Sequence, residues 1–219
     1  MVAPLESPFS RARIAPSLWD PVIRISHWGL ALVVLSNAIL TEGGSTLHVL
    51  AGWIGIGLLA LRLLWGIVGP QEARFSAFPP NPMAALRHLR QLAQGRPEEY
   101  GSHNPAGAMM AYALWALLAV VIATGLVMTG GRTPMQVAAD QAAVASGDWS
   151  ALVKPGESGD DEDESEGWKD AAEEVHEVAA NLILFLVLLH VAGVAVESRA
   201  MGRNLVRPML TGSDKDRRK

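Results

Sequence analysis

The sequence predicts an all-α fold: a four-helix bundle integral to a membrane, with both termini in the cytoplasm. Three observations predict it. Half of the 219 residues are hydrophobic and only 18% are charged, against about a quarter in soluble domains. Four segments are mostly apolar over about 20 residues, the length a helix needs to cross a ~30 Å hydrocarbon layer. Arg and Lys are segregated from Asp and Glu along the chain, so the net charge of -4 conceals two electrostatically opposite ends.

The first span is expected at 22–40 and the second at 48–68. Between them T-E-G-G-S-T (Thr41 to Thr46) has the composition of a tight polar turn. The second connection, Gly69 to Asn104, is proline-rich and carries Arg74, Arg87, Arg90 and Arg96. Within it Pro82 to Gln94 reads as an amphipathic surface helix with proline in its first turn. The third span is expected at 106–128 and the fourth at 174–196. They are joined by an acidic loop, 129–172, whose tract Asp160 to Glu166 is read as solvated. A basic tail, 213–219, follows a single membrane domain covering 1–212.

Basic residues fall in the N-terminal tail, the second connection and the C-terminal tail. The positive-inside rule therefore puts these in the cytoplasm and the acidic loop in the periplasm. Trp19, Trp28, Trp65 and Trp168 stand near span ends, as interfacial aromatics do. The stretch from Met1 to Asp20 lacks an early apolar core and reads as a cytosolic tail, not a cleaved signal. The chain has no cysteine, which excludes disulfides, thiolate metal sites, iron–sulfur clusters and covalent c-type haem. A redox cofactor must then be held by His or Met. Nothing in the pattern points to nucleic acid as a partner.

Ionisable residues within spans are costly and raise a functional hypothesis. His176 and His190 lie fourteen residues apart on the fourth span, which is about 21 Å along a helix with about 40° of net rotation. They project from nearly one face, one near each membrane surface. Connectivity pairs His27 with His190 on the cytoplasmic side and His48 with His176 on the periplasmic side. Each pair offers two imidazoles to a flat metal macrocycle, and bundle cores are known to house such sites. Interfacial hydrogen bonding, a proton relay or a transition-metal site are the other readings of the same histidines. The separation prevents all four from binding one ion.

Arg62 stands fourteen residues after His48 on nearly the same face, at the depth of the cytoplasmic pair. It suits a haem propionate, with snorkelling to the interface as its alternative. Arg24 is a further candidate for that task or for a quinone pocket. Gly29, Gly52, Gly55 and Gly193 lie within a turn of candidate ligands, where they either admit a porphyrin or let helices pack closely. His88 is read as part of the surface helix and His103 as interfacial, neither as a ligand. Met109, Met110 and Met128 are read as packing residues.

R-I-S-H-W on the first span, H-V-L-A-G-W and R-L-L-W-G on the second, A-R-F and H-N-P-A-G before the third, and H-E-V-A-A-N…H-V-A-G-V on the fourth together resemble the bacterial cytochrome b561 family. The nearest group looks like the b-type cytochrome subunits of nickel–iron hydrogenases. The resemblance covers about Trp19 to Gly212. It implies a bacterial inner-membrane protein with two non-covalent, bis-histidine b-type haems on His27, His48, His176 and His190. It also implies electron exchange with ubiquinone or menaquinone. A periplasmic cytochrome c or a hydrogenase-like enzyme stands as the partner at the other end. The third connection looks longer and more acidic than in minimal members. A self-contained oxidoreductase passing electrons between a small diffusible donor and quinone is the second functional reading. A haem-free membrane anchor or metal transporter is the third.

Overall fold

The computed structural model describes residues 20–96, 98, 100, 103–148 and 159–212, with 159–166 described by helical backbone alone. Trp19, the side chains of the tract Asp160 to Glu166, and the tail from Lys215 to Lys219 lie outside the described residues. Every regular element among the described residues is helical: α1 (Pro21–Ile39), α2 (Thr46–Val68), α3 (Pro82–Ala93), α4 (Pro105–Thr129), α5 (Pro134–Ser146), α6 (Gly159–Ala200) and α7 (Val206–Thr211). Four of them, α1, α2, α4 and the 167–200 part of α6, are long and apolar enough to cross a membrane.

Local chemistry sets their starts. Asp20 caps α1, its Oδ1 accepting from the amides of Val22 and Ile23 at 2.7 and 3.2 Å, with Pro21 in the first turn. The other carboxylate oxygen accepts from Trp65 Nε1 at 3.0 Å, so one residue starts α1 and ties it to the end of α2. Ser45 caps α2 through the His48 amide, Asn81 caps α3 and Asn104 caps α4, the last two again followed by proline. A side-chain oxygen at this position satisfies amides that the helix leaves unpaired. Gly130 ends α4 in the left-handed conformation, φ 59°, which a residue without Cβ adopts at little cost.

Packing divides the bundle into two pairs. Helix α1 lies along α2, and α4 along α6; across the pairs, α2 approaches α4. Leu30, Leu59, Leu118 and Ile183, one from each spanning helix, meet as a buried apolar layer. Ile183 lies midway between His176 and His190, so this layer occupies the middle of the bundle. Gly29 belongs to the packing within the first pair: a Cβ there would come within 2.7 Å of Leu58 Cδ1. The ends of the bundle differ. The start of α1, the end of α2, α3, the start of α4, the end of α6 and α7 share one end, here the terminal end. The 41–45 turn and α5 share the other with the start of the α6 span, here the acidic end.

Two elements depart from expectation. The fourth helix begins at Gly159 and runs 42 residues, about 63 Å, where a span at 174–196 was expected. The region expected as a loop at 129–172 also contains α5, whose N-terminus carries a capping box of Thr133 and Gln136. Charge dominated the reading of this stretch. Yet Lys169, Ala171, Ala172, Glu173 and Glu174 are able helix formers, and a helix already nucleated by the apolar span extends through them readily.

Candidate functional site

The four histidines expected as ligands come together as two pairs. The rings of His27 on α1 and His190 on α6 have centroids 6.2 Å apart, and those of His48 on α2 and His176 on α6 are also 6.2 Å apart. With metal–imidazole bonds of about 2 Å and ring nitrogens about 1 Å from their centroids, two ligands on opposite sides of one metal have centroids about 6 Å apart. Both pairs thus have a spacing at which two imidazoles would hold one metal between them. Each pair bridges the gap between the α1–α2 and α4–α6 halves. Among the described residues, no three His, Cys, Asp or Glu side chains converge as on a bare metal ion.

At the acidic end each imidazole has a hydroxyl behind it. Thr124 on α4 donates to the Val120 carbonyl at 2.8 Å, and its oxygen lies 2.9 Å from His176 Nδ1. With its one proton committed to the backbone, the hydroxyl accepts; Nδ1 then carries hydrogen and Nε2 presents a lone pair. Thr41 stands 3.3 Å from His48 Nδ1 and bonds Asn37, whose amide donates to the His48 carbonyl. Gly125 beside Thr124 completes the seat, since an ideal Cβ there would lie 3.4 Å from the His176 ring. Neither threonine was singled out from sequence. A hydroxyl one helix away from a ligand leaves no pattern of spacing to find.

The terminal end is built from charge and aromatic rings. Arg62 is buried at 4% exposure, with its guanidinium 4.6 Å from the Trp115 ring centroid and about 6 Å from those of Phe75 and Phe78. Its Nη1 is buried without a hydrogen-bond partner. The side chain turns inward instead of snorkelling. Gly66 makes room for this wall, because any Cβ there would collide with Phe75. His103 sits in the same wall, its ring 4.4 Å from that of Phe78. Burial, then Arg62, His190 and His27, push its pKa down to about 4. His103 is therefore neutral, its ring half-buried against this wall.

His88 belongs to the helix expected at 82–94, but its side chain is buried. It is 1% exposed, on the inner face of α3, with Glu197 of α6 at 3.7 Å. The apolar residues Met83, Leu86 and Leu89 of that helix face outward. In a membrane protein the outward face of such a helix meets lipid, which inverts the soluble pattern. Arg24 lies away from the ring pairs: its Nε donates to the Met209 carbonyl at 3.2 Å and its Nη2 to that of Leu210. Trp28 donates to the same Met209 carbonyl at 3.3 Å. These three bonds seat α7 against α1. Of the glycines near the ligands, Gly29 and Gly55 are contacts for Leu58 and Val33, whereas Gly52 and Gly193 have nothing within 4 Å of a Cβ position.

A spanning bundle with imidazoles facing one another across its core, and no cysteine in the chain, has the make-up of a membrane cytochrome of the b type. Comparison with known families bears directly on this. The family model described as prokaryotic cytochrome b561 matches residues 18–212; the chain belongs to that family, whose members bind haem b and carry electrons in membranes. No curated protein and no solved structure matches it. The residues present fit the cofactor. Buried His27 Nδ1 and Arg62 Nη1 have no hydrogen-bond partner, the ring spacing suits an axial pair, and Gly52 leaves space one turn from His48.

Proposed function

We propose that this protein is a di-haem cytochrome of the bacterial inner membrane that moves electrons between the quinone pool and a periplasmic redox partner. The observation that carries the reading is the spacing of 6.2 Å in both histidine pairs. His27 and His190 would hold one haem on the cytoplasmic side, and His48 and His176 the other on the periplasmic side. The basic character of the terminal end supports that orientation. Bound haem supplies one-electron chemistry at each site, at potentials tuned by ligands, burial and hydrogen bonds.

The chain's own residues divide the remaining work. Thr124 and Thr41 hold imidazole orientation at the periplasmic site. Arg62 balances a haem carboxylate at the cytoplasmic one, where a buried cation without an anion is costly. Leu30, Leu59, Leu118 and Ile183 keep water from the middle of the path. An open cleft of about 250 Å³ between α1 and α7, lined by Pro21, Arg24, Ile25, Trp28, Met209 and Leu210, is where quinone, ubiquinone or menaquinone, docks. The periplasmic partner is a c-type cytochrome or a hydrogenase-like enzyme. The acidic sequence of the N-terminal part of α6 supports that choice by electrostatic steering.

Reduced-minus-oxidised spectra with haem quantified per chain test this reading. The expected result is two haems per chain, reduced by a quinol analogue and reoxidised only when a periplasmic redox protein is added. One haem per chain refutes the two-site assignment. Turnover of a small donor without any second protein favours the self-contained oxidoreductase.

A further inference from the structure

Beneath α3 lies a polar cluster that the axial ligands do not explain. His88 and Glu197, at 1% and 8% exposure, face each other with Nε2 and Oε1 3.7 Å apart. The second carboxylate oxygen of Glu197 accepts from the Asn104 side chain, the cap of α4. His88 Nδ1 is buried with no hydrogen-bond partner, so the imidazole keeps a ring nitrogen uncommitted. Tyr100 packs edge-on against His88 at 5.4 Å, and its hydroxyl donates to exposed Glu98 at 3.0 Å. The cluster therefore reaches from the solvent-facing connection to the inner face of α6.

Its position relative to the ligands is set by one helix. Glu197 follows His190 by seven residues, about 10 Å along the axis and within about 20° of the same face. His176, Ile183, His190 and Glu197 thus form one inward stripe. Asn104 adjoins His103, which belongs to the wall around Arg62. A buried acid–base pair so placed feels any change of charge at the His27–His190 site.

We propose that the His88–Glu197 pair is the proton-exchanging group of the terminal-end electron site. This rests on the function proposed above. An electron delivered there by a quinol adds one negative charge. One proton leaves water at the terminal end and binds the pair, converting neutral imidazole beside carboxylate into imidazolium beside carboxylate. Only an N–H bond forms in the protein, and the local charge is restored. When the electron departs, the proton returns to water. A quinol releases two electrons and two protons on becoming quinone; both protons pass to water at the terminal end, from which the pair draws one for each electron held at the site and returns it when that electron departs. The other charged and titratable groups around the pair are Arg87 on α3, Tyr100 and Glu98 in the connection, His103 and Arg62 in the aromatic wall, and Arg199 and Arg203 near the end of α6. None of these supplies a second buried carboxylate.

Potentiometric titration of the haem spectrum between pH 5.5 and 8.5, on the purified full chain in lipid nanodiscs, tests the proposal. Two unit charges about 10 Å apart at an effective dielectric of about 20 alter an equilibrium at least tenfold. For one electron that is about 60 mV. In the wild-type protein one of two potentials should fall by about that amount as pH rises, and the other should stay flat. Glu197→Gln and His88→Gln should each flatten the sloping one while both haems remain bound. A two-haem protein with two flat potentials, or a slope that survives both substitutions, overturns the proposal alone. A protein that binds no haem overturns it together with the function on which it rests. Should one variant fail to load haem, the wild-type slope and the other variant still decide.

Discussion

Replacing ligands two at a time separates the proposed pairing from every other assignment of the four histidines. Each pair spans 6.2 Å between ring centroids, the reach of one metal with two axial imidazoles. The two members of α6 are fourteen residues, about 21 Å, apart, too far for one site to borrow a ligand from the other. Loss of either ring leaves one axial imidazole where the bundle grips the cofactor with two. Single substitutions such as His190→Ala or His48→Ala should thus lower haem from two per chain to one. The within-pair double His27→Ala with His190→Ala should do no further harm, leaving one. The cross-pair double His48→Ala with His190→Ala should leave none. Double-mutant logic makes the contrast informative, because residues that act as a unit are non-additive while distant ones add. The assay is haem per chain from the alkaline pyridine spectrum, with circular dichroism confirming helix content. A within-pair double that loses both haems, or a cross-pair double that keeps one, refutes the pairing.

Three further outcomes follow from the site. Arg62→Met should weaken haem retention tenfold or more at the terminal end, as loss of a charge-assisted hydrogen bond of about 1.5–3 kcal/mol implies. The haem-free chain should melt no lower, since a buried cation without an anion has been removed; transfer of haem to excess apomyoglobin measures the first and thermal scans the second. Thr124→Val should loosen the acidic-end haem by about 10–100-fold, the usual effect of removing a hydrogen bond behind a histidine ligand, and leave the other haem untouched in the same transfer assay. His103 has its pKa depressed from 6.5 to about 4, so between those values the unfolded chain binds a proton that the folded chain does not. Its contribution to stability is whole above pH 6.5 and lost as pH falls toward 4; thermal midpoints against pH should show a shallower acid limb in His103→Phe.

The two histidine pairs were legible in the sequence because a histidine inside an apolar span is conspicuous, and fourteen residues on a helix return to nearly the same face. Arg62 was legible for the same reason. What was hidden depends on tertiary neighbours. The burial of His88 was hidden because α3 carries Leu86 and Leu89 on one stripe, which a soluble protein would bury. Here that stripe is exposed and Ala85 with His88 turns inward. His103 lies before α4, outside any apolar run, and its packing against Phe78 depends on the fold of the second connection. Glu197 sits at the inward register seven residues past His190, just beyond the expected end of the span at 196, and nothing in the spacing singled it out. The helical part of the acidic region was masked by charge, which reports solvent exposure and not backbone conformation.

Helix α6 alone supplies one histidine to each site, and this makes it a ruler. The separation of the two histidine pairs, the proposed electron stations, is set by backbone hydrogen bonds within a single rod, at 1.5 Å per residue, and owes nothing to how tightly neighbouring helices or lipids press on the bundle. Sideways breathing of α1 or α2 alters how well each station is gripped but leaves the step length between them unchanged. Tunnelling rates fall steeply with distance, so a carrier calibrated in this way keeps its pace in membranes of differing thickness. An insertion of one residue between Ile183 and His190 would recalibrate it, turning the second imidazole through about 100° and out of register with His27.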